Sequence, residues 1–351
     1  MKNWVIRCLS DRDWRCRVGR VVGLTLLIGT VVYGRIIMAN GPEKARLEVY
    51  AFSTQEEVLT QSIFPAFEEA WEAETGGNLT IQGVFGPSAT LAGQINLGAP
   101  ADVAIFSSAQ DVNHLKVGRK VQASSQPVVI GQTAMVIVTR PGDPAGITGF
   151  SDLAKPGLRL LHADPRTSGA GQWAVLAEYG SALSEAEDPT AAAAQLQAIW
   201  HNVRLLGSSA RATMTLFELG AGDAFVTYEQ DALLAQERGV SLEIVRPLNT
   251  LVAQHVAVIV DENVRTIERP VAQAFVAFLL SDTGQQIFDC YHMRRINLES
   301  QQLPVVAQSF TVEDLGGWSR AYTDVIETLW EAEIAPGLDL QPTPGLLDRG
   351  P

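Results

Sequence analysis

Cysteine is scarce, and the few present are badly placed for crosslinking. Cys8 and Cys16 stand near the start and only Cys290 lies in the rest, so the body has no internal disulfide. Cys290 is expected to be a small buried apolar residue. The five histidines (His114, His162, His201, His255 and His292) match no H-E-x-x-H or paired metal-ligand spacing, so no metal site is expected. The G-x-S-x-G nucleophile elbow is missing, since Ser168 sits in Thr167-Ser168-Gly169-Ala170-Gly171. Gly220-Ala221-Gly222 lacks the third glycine of a dinucleotide loop. Asp102 and Asp223 read as strand-end residues. No catalytic residue and no cofactor is expected, and the chain does not read as an enzyme. Basic charge is also short: Lys and Arg number 26 against 39 Asp and Glu, a net charge of −13. Such a body offers no electrostatic footprint for nucleic acid. An anion would have to be held by local dipoles and hydrogen-bond donors against the overall field. There is no internal repeat, and no low-complexity stretch beyond an alanine run and a Pro/Gly-rich end after Ala335.

What basic charge there is gathers at the start. Lys2, Arg7, Arg12, Arg15, Arg17, Arg20 and Arg35 face only Asp11 and Asp13 in the first forty residues. They surround the run Val18 to Val32, which is apolar apart from Gly, Thr and Arg20. This pattern resembles a secretory signal, with a cleavage point near Met38-Ala39-Asn40-Gly41. The apolar stretch continues past Arg35 to Met38, so an uncleaved membrane anchor fits as well. Both readings export the body to the periplasm.

From Leu47 the chain alternates strands and helices. Strand patterns cover Leu47 to Phe52, Leu79 to Val84, Ala101 to Phe106, Met135 to Thr139, Leu158 to His162, Asp223 to Thr227 and Val256 to Val260. Helical patterns cover Glu56 to Thr75, kinked at Pro65, then Thr90 to Leu97, Gly169 to Tyr179, Glu185 to Ile199, Ala212 to Leu219, Val271 to Leu280 and Gly284 to Tyr291. The order predicts an α/β chain with a mostly parallel sheet. With 351 residues it is long enough for two folded lobes.

Four strand-to-helix loops are short and rich in Ser, Gly or Ala: Phe52-Ser53-Thr54, Gly86-Pro87-Ser88, Thr167-Ser168-Gly169-Ala170 and Ser208-Ser209-Ala210-Arg211. In an open α/β sheet, ligands bind beyond the carboxyl ends of the strands, where first-turn amides are unpaired and partly positive. Small residues let those amides approach an anion, and Ser adds a hydroxyl donor. A Ser before a helix is, taken singly, most often a cap.

The wider setting of these loops resembles the periplasmic sulfate- and thiosulfate-binding proteins. The most specific block is Asp164-Pro165-Arg166-Thr167-Ser168-Gly169-Ala170-Gly171-Gln172-Trp173, close to the family's P-x-x-S-G-G-x-x-W. Further blocks are Gly98 to Val103, Gly222-Asp223 with Tyr228-Glu229 to Leu234, Leu279 to Gln286, and Phe310-Thr311 with Gly316-Gly317-Trp318. The resemblance implies the two-lobed type II periplasmic-binding-protein fold, an α/β fold with the ligand in the interlobe cleft. On that pattern residues 1–45 are the export segment, 46–133 with 250–335 the first lobe, 134–249 the second lobe, and 336–351 a tail. It implies capture of a tetrahedral oxyanion, sulfate or thiosulfate, and delivery to the membrane subunits of an ABC transporter by a monomeric chain. Molybdate binding and a tethered anion sensor are the alternatives.

Carried over residue by residue, Ser88 matches a hydroxyl donor of the first lobe. Ser168 matches the serine opening a second-lobe helix, with Gly169 and Ala170 as amide donors. Ala210 matches a further amide, beside Arg211. Ser53 departs from the family's Asp, whose backbone N–H helps hold the anion; Tyr228 departs from its Trp, and Ala170 from a Gly. Sulfate is a dianion with acceptor oxygens only, so a site of donors suits it. Without a carboxylate at position 53, a protonated phosphate is disfavoured.

Overall fold

The computed structural model describes residues 44–296, 303–304 and 306–340. The export segment expected at the start lies outside them, as do residues 341–351. Among the described residues no helix is long and apolar enough to cross a membrane. The chain divides into two units: residues 1–132 with 254–304, and 133–253 with 305–351.

In chain order, β1 (Lys44–Phe52) is followed by a helical run. The run opens with a 3₁₀ turn Ser53–Gln55 and an α turn Glu56–Val58, widens into a π turn Leu59–Ile63, and continues as α1 (Phe64–Thr75). The kink expected at Pro65 is taken up by that π turn. Proline has no N–H and its ring crowds the carbonyl four residues back, which is the carbonyl of Gln61. Then come β2 (Asn78–Gly86), α2 (Ser88–Asn96), β3 (Val103–Phe106) and α3 (Ala109–Val117). The chain passes to the second unit within β4 (Val128–Thr139). There it forms β5 (Leu160–Ala163), α4 (Gly169–Ala186), α5 (Pro189–His201), β6 (Val203–Gly207), α6 (Ala210–Glu218), β7 (Ala224–Tyr228), α7 (Glu229–Glu237) and β8 (Glu243–Val245). It returns within β9 (Asn249–Ile259) to α8 (Arg269–Leu280) and α9 (Asp282–Cys290). The second unit is completed by β10 (Gln308–Phe310), α10 (Gly317–Ala321) and a π-helical run Tyr322–Ile334.

In the first unit β1 pairs in parallel with β2 and β3, and β9 runs antiparallel to β3. Helices α2 and α3 bury Leu91, Ile95, Val112 and Leu115 against Tyr50, Ala104, Phe106 and Val258. Each such side chain contributes about 1.5–3 kcal/mol by leaving water. In the second unit β5 is parallel to β6 and β7, and β4 is antiparallel to β7. Its core joins Val136, Val138 and Leu161 to Met214, Phe217 and Phe225.

Three expectations change. The break after α4 falls at Glu187 to Pro189, not between Tyr179 and Glu185. Glu187 takes a left-handed φ of 52°, Asp188 accepts the Thr190 N–H as a cap, and Pro189 opens α5. Residues 306–335 belong to the second unit and not to the first lobe. Trp318 packs edge-on against Trp173 (4.5 Å between centroids), Trp330 against Trp200 (5.1 Å), and a Cβ at Gly180 would sit 2.3 Å from the Phe310 ring. Cys290 is half-buried, less enclosed than expected.

Beneath these tryptophans lies a fully buried polar group. Glu178 Oε1 accepts from His162 Nε2 (2.6 Å) and Oε2 from Trp200 Nε1 (2.8 Å), all three side chains being fully excluded from solvent. His162 is thus a structural residue. Glu178→Ala strands two buried donors and is expected to cost about 3–5 kcal/mol. Glu178→Gln, which keeps one acceptor, should cost less. Urea unfolding followed by tryptophan fluorescence checks the order.

Candidate functional site

Parallel strands place their following helices at one edge of each sheet, and the candidate residues fall on those edges. In the first unit the pairs Phe52 with Gly86 and Ala51 with Ile105 bring the ends of β1, β2 and β3 level. Antiparallel β9 adds Val256 opposite Phe106. Ser53 therefore opens its turn, half-buried, on the same edge as Ser88. Ser88 is the first residue of α2, two positions earlier than the sequence pattern suggested, and is 2% exposed.

The Ser88 hydroxyl is part of a chain of bonds. It accepts from the Ser107 N–H (3.1 Å) and lies 2.6 Å from Asp111 Oδ2, as donor in that pair if the acid is ionised. Ser108 Oγ stands 3.5 Å from the same carboxyl oxygen. The Ser107 carbonyl faces His255 Nδ1 at 3.3 Å, and the His255 ring lies 4.6 Å from that of Phe52. Burial lowers His255 to about 4, partly offset by the Ser107 carbonyl, so it is neutral near pH 7. Burial raises Asp111 to about 6, opposed by its Ser88 bond, His114 and Ser108. Ser107, Asp111 and His255 escaped the sequence reading. The available signal was Phe106-Ser107-Ser108 before α3, a strand–Ser–Ser–helix loop like the four singled out.

In the second unit the pair Ala163 with Gly207 levels β5 and β6. Tyr228, at the end of β7, pairs with Met135 of β4. Ser168 precedes α4 and is 3% exposed, yet its side chain makes no capping bond. By contrast Ser209 caps α6 by accepting from the Ala212 N–H (3.1 Å). The Ser168 carbonyl takes the N–H groups of Gly171 and Gln172 (3.0 and 3.2 Å). Gly169 and Ala170 are left as first-turn amide donors. Ala210 begins α6 in the same way, buried at 4%.

The two loops are held together. Thr167 Oγ1 donates to the Ser208 carbonyl (3.0 Å) and the Asp164 N–H to the Gly207 carbonyl (2.8 Å). Arg166 and Asp164 pair at 2.8 Å. The fit at the strand ends is tight. A Cβ on Gly171 would meet the Ala163 carbonyl at 2.4 Å, and one on Gly207 would meet Thr213 Oγ1 at 2.4 Å. These glycines let each helix start directly on its strand.

Tyr228 is 1% exposed and stands at the N-cap of α7. Behind it Gln230 N–H donates to Thr133 Oγ1 (3.2 Å), and buried Glu229 pairs with Arg246 (2.7 Å). Ser168, Gly169, Ala170, Ala210 and Tyr228 thus share one edge of the second unit, and Ser53 and Ser88 one edge of the first.

Asp102 and Asp223 are strand-end residues. Asp102 Oδ2 accepts the Glu48 N–H (2.8 Å), and Asp223 holds the Arg159 backbone and guanidinium. A cavity of about 200 Å³ lies at the other edge of the second unit, lined by Thr139, Arg140, Leu158 and Asp223. Arg140 there is spent on the carbonyls of Phe217, Ala221 and Gly222. Among the described residues no group of His, Cys, Asp and Glu is arranged to hold a metal ion.

Comparison with known proteins identifies the family and the fold. The family model for bacterial extracellular solute-binding proteins matches residues 47–294. A sulfate-binding protein of Escherichia coli is 32% identical over 319 residues, covering 86% of this chain and 93% of its own. A thiosulfate-binding protein of Pseudomonas aeruginosa is 31% identical over 248 residues, covering 67% of this chain and 74% of its own. Among solved structures, the sulfate-binding protein SubI from Mycobacterium tuberculosis superposes with a TM-score of 0.73 at 24% identity, covering 80% of this chain and 98% of that one. That likeness shows the two-lobed periplasmic-binding-protein fold. The chain belongs to the bacterial extracellular solute-binding proteins, in the family of sulfate- and thiosulfate-binding proteins.

Proposed function

We propose that this protein captures a dianionic tetrahedral oxyanion, sulfate or thiosulfate, outside the cytoplasm and delivers it to the membrane subunits of an ABC transporter. The observation that carries this reading is the start of α4. A buried serine hydroxyl that caps nothing stands beside two first-turn amides, on a helix of 18 residues. Fixed partial charges of this kind suit an anion and require no cationic side chain. The donors Ser168, Gly169, Ala170 and Ala210, with Tyr228, lie on the edge where α/β sheets take ligands. Ser53 and Ser88 are separate candidates, at the corresponding edge of the first unit. The names of the relatives point to the same ligands. The role is binding and transport, with no chemical step, and export is read from the basic, apolar first forty residues.

The binding test is calorimetry of the body from Leu47 with sulfate, thiosulfate, molybdate and phosphate. One anion binds per chain, with no added metal or cofactor, and sulfate-like anions beat phosphate at mildly acidic and at neutral pH. Phosphate that binds as well as sulfate would refute the assignment.

Ser168→Ala should lose one hydrogen bond to a charged group, about 1.5–3 kcal/mol. That is roughly a ten- to hundredfold loss of affinity. Because no capping bond is lost, its melting temperature should match wild type. Unchanged affinity with a lower melting temperature would make Ser168 a purely structural residue.

Tyr228→Phe should weaken anion binding while keeping the ring's packing. Tyr228→Trp, with a donor-only indole N–H, should shift preference toward sulfate. The deciding quantity is the ratio of sulfate to thiosulfate affinity across wild type and both variants. An unchanged ratio would remove Tyr228 from the site.

A further inference from the structure

Asp111 is a completely buried carboxyl group beside a candidate anion donor. Its Oδ2 meets Ser88 Oγ at 2.6 Å and, weakly, Ser108 Oγ at 3.5 Å. Its Oδ1 is buried with no hydrogen-bond partner. Among the described residues no cation is paired with it. Helix α2 and strand β3, which pack on α3, carry no ionisable side chain. On α3 itself His114 stands one turn away and Lys116 lies in the last turn. His255 of β9 reaches the cluster through the Ser107 carbonyl. An ionised carboxylate there would leave one charged oxygen bare, at a cost of several kcal/mol by the usual penalty for a buried unpaired charge.

The hydroxyl of Ser88 has one hydrogen and two lone pairs. One lone pair is taken by the Ser107 N–H. With Asp111 ionised, the hydrogen points at Asp111 and only a lone pair is left, which repels a sulfate oxygen. With Asp111 protonated, the acid's O–H fills the second lone pair and the serine hydrogen is released.

We propose that Asp111 is the positioning residue of the first unit's donor set: as a carboxylic acid it donates to Ser88 Oγ and so turns the Ser88 hydroxyl toward the bound anion. Wherever the free protein holds Asp111 ionised, binding takes one proton from solvent onto Asp111 Oδ2. Burial already raises this carboxyl to about 6, against the opposing pull of Ser88, His114 and Ser108, and a neighbouring dianion raises it further. Above that point, affinity should fall with rising pH by up to about tenfold per unit. The inference rests on the oxyanion reading above.

The test is sulfate calorimetry at mildly alkaline pH in two buffers of different ionisation enthalpy, joined to an infrared difference spectrum on binding. Wild type should take up a proton and show the carbonyl stretch of a protonated carboxyl in the complex. Asp111→Asn supplies a permanent N–H donor to Ser88 Oγ. It should bind within about threefold of wild type at neutral pH, with no proton uptake and no carboxyl band. Asp111→Ala should lose roughly tenfold or more, and Ser88→Ala should lose as much. A carboxylate that stays ionised in the sulfate complex, or an Asn variant as weak as Ala, would overturn the inference alone. If the wild type binds no sulfate-like anion at all, the oxyanion reading fails and this inference with it.

Discussion

The first turn of a helix that begins on the end of a parallel strand is the constraint on which the rest of this molecule depends. Its N–H groups have no partner inside the helix, and in a body with net negative charge they are where an anion finds favourable potential. For that to work the helix must start close to its strand, and the glycines at 171 and 207 make the close approach possible. The loops must also hold still, which the Thr167–Ser208 and Asp164–Gly207 bonds achieve. Ser168 can then keep its hydroxyl off its own helix, whereas Ser209 spends its own on Ala212.

The buried polar groups divide by what they serve. Glu178 is fully satisfied by His162 and Trp200 and holds the second unit together. Asp111 is only partly satisfied and stands next to Ser88, a candidate anion donor. Neutral His255 adds a ring and a polar atom to the same edge without adding charge.

The α/β alternation was legible because strand and helix periods are local, and most elements appear within a few residues of where the pattern put them. Helix starts were misplaced by two residues at Ser88 and Ala210, since alanine and serine give a weak apolar signal there. Asp188-Pro189 was a readable break hidden by the alanine run beyond it. The loops bearing Ser53, Ser88, Ser168 and Ala210 were legible as short Ser-, Gly- or Ala-rich segments between strand and helix patterns, and the one with Ser168 also through a family block. The Ser107–Ser88–Asp111 relay was not, because it joins residues of different loops and exists only in the folded chain. The allegiance of residues 306–335 was likewise decided by tryptophan packing, which no local pattern encodes.

That packing governs when the molecule can fold. Trp330 is fully enclosed, and Phe310 and Trp318 fill space against Gly180 and Trp173. The second unit therefore lacks part of its core until residues 306–334 have left the ribosome, although the rest of it is made much earlier. The first unit waits in turn for β9, α8 and α9. Neither unit has its complete sequence while the N-terminal segment is first exposed. In a chain of this design neither core can be completed early in synthesis, and the second is completed last, by the helical run Tyr322–Ile334.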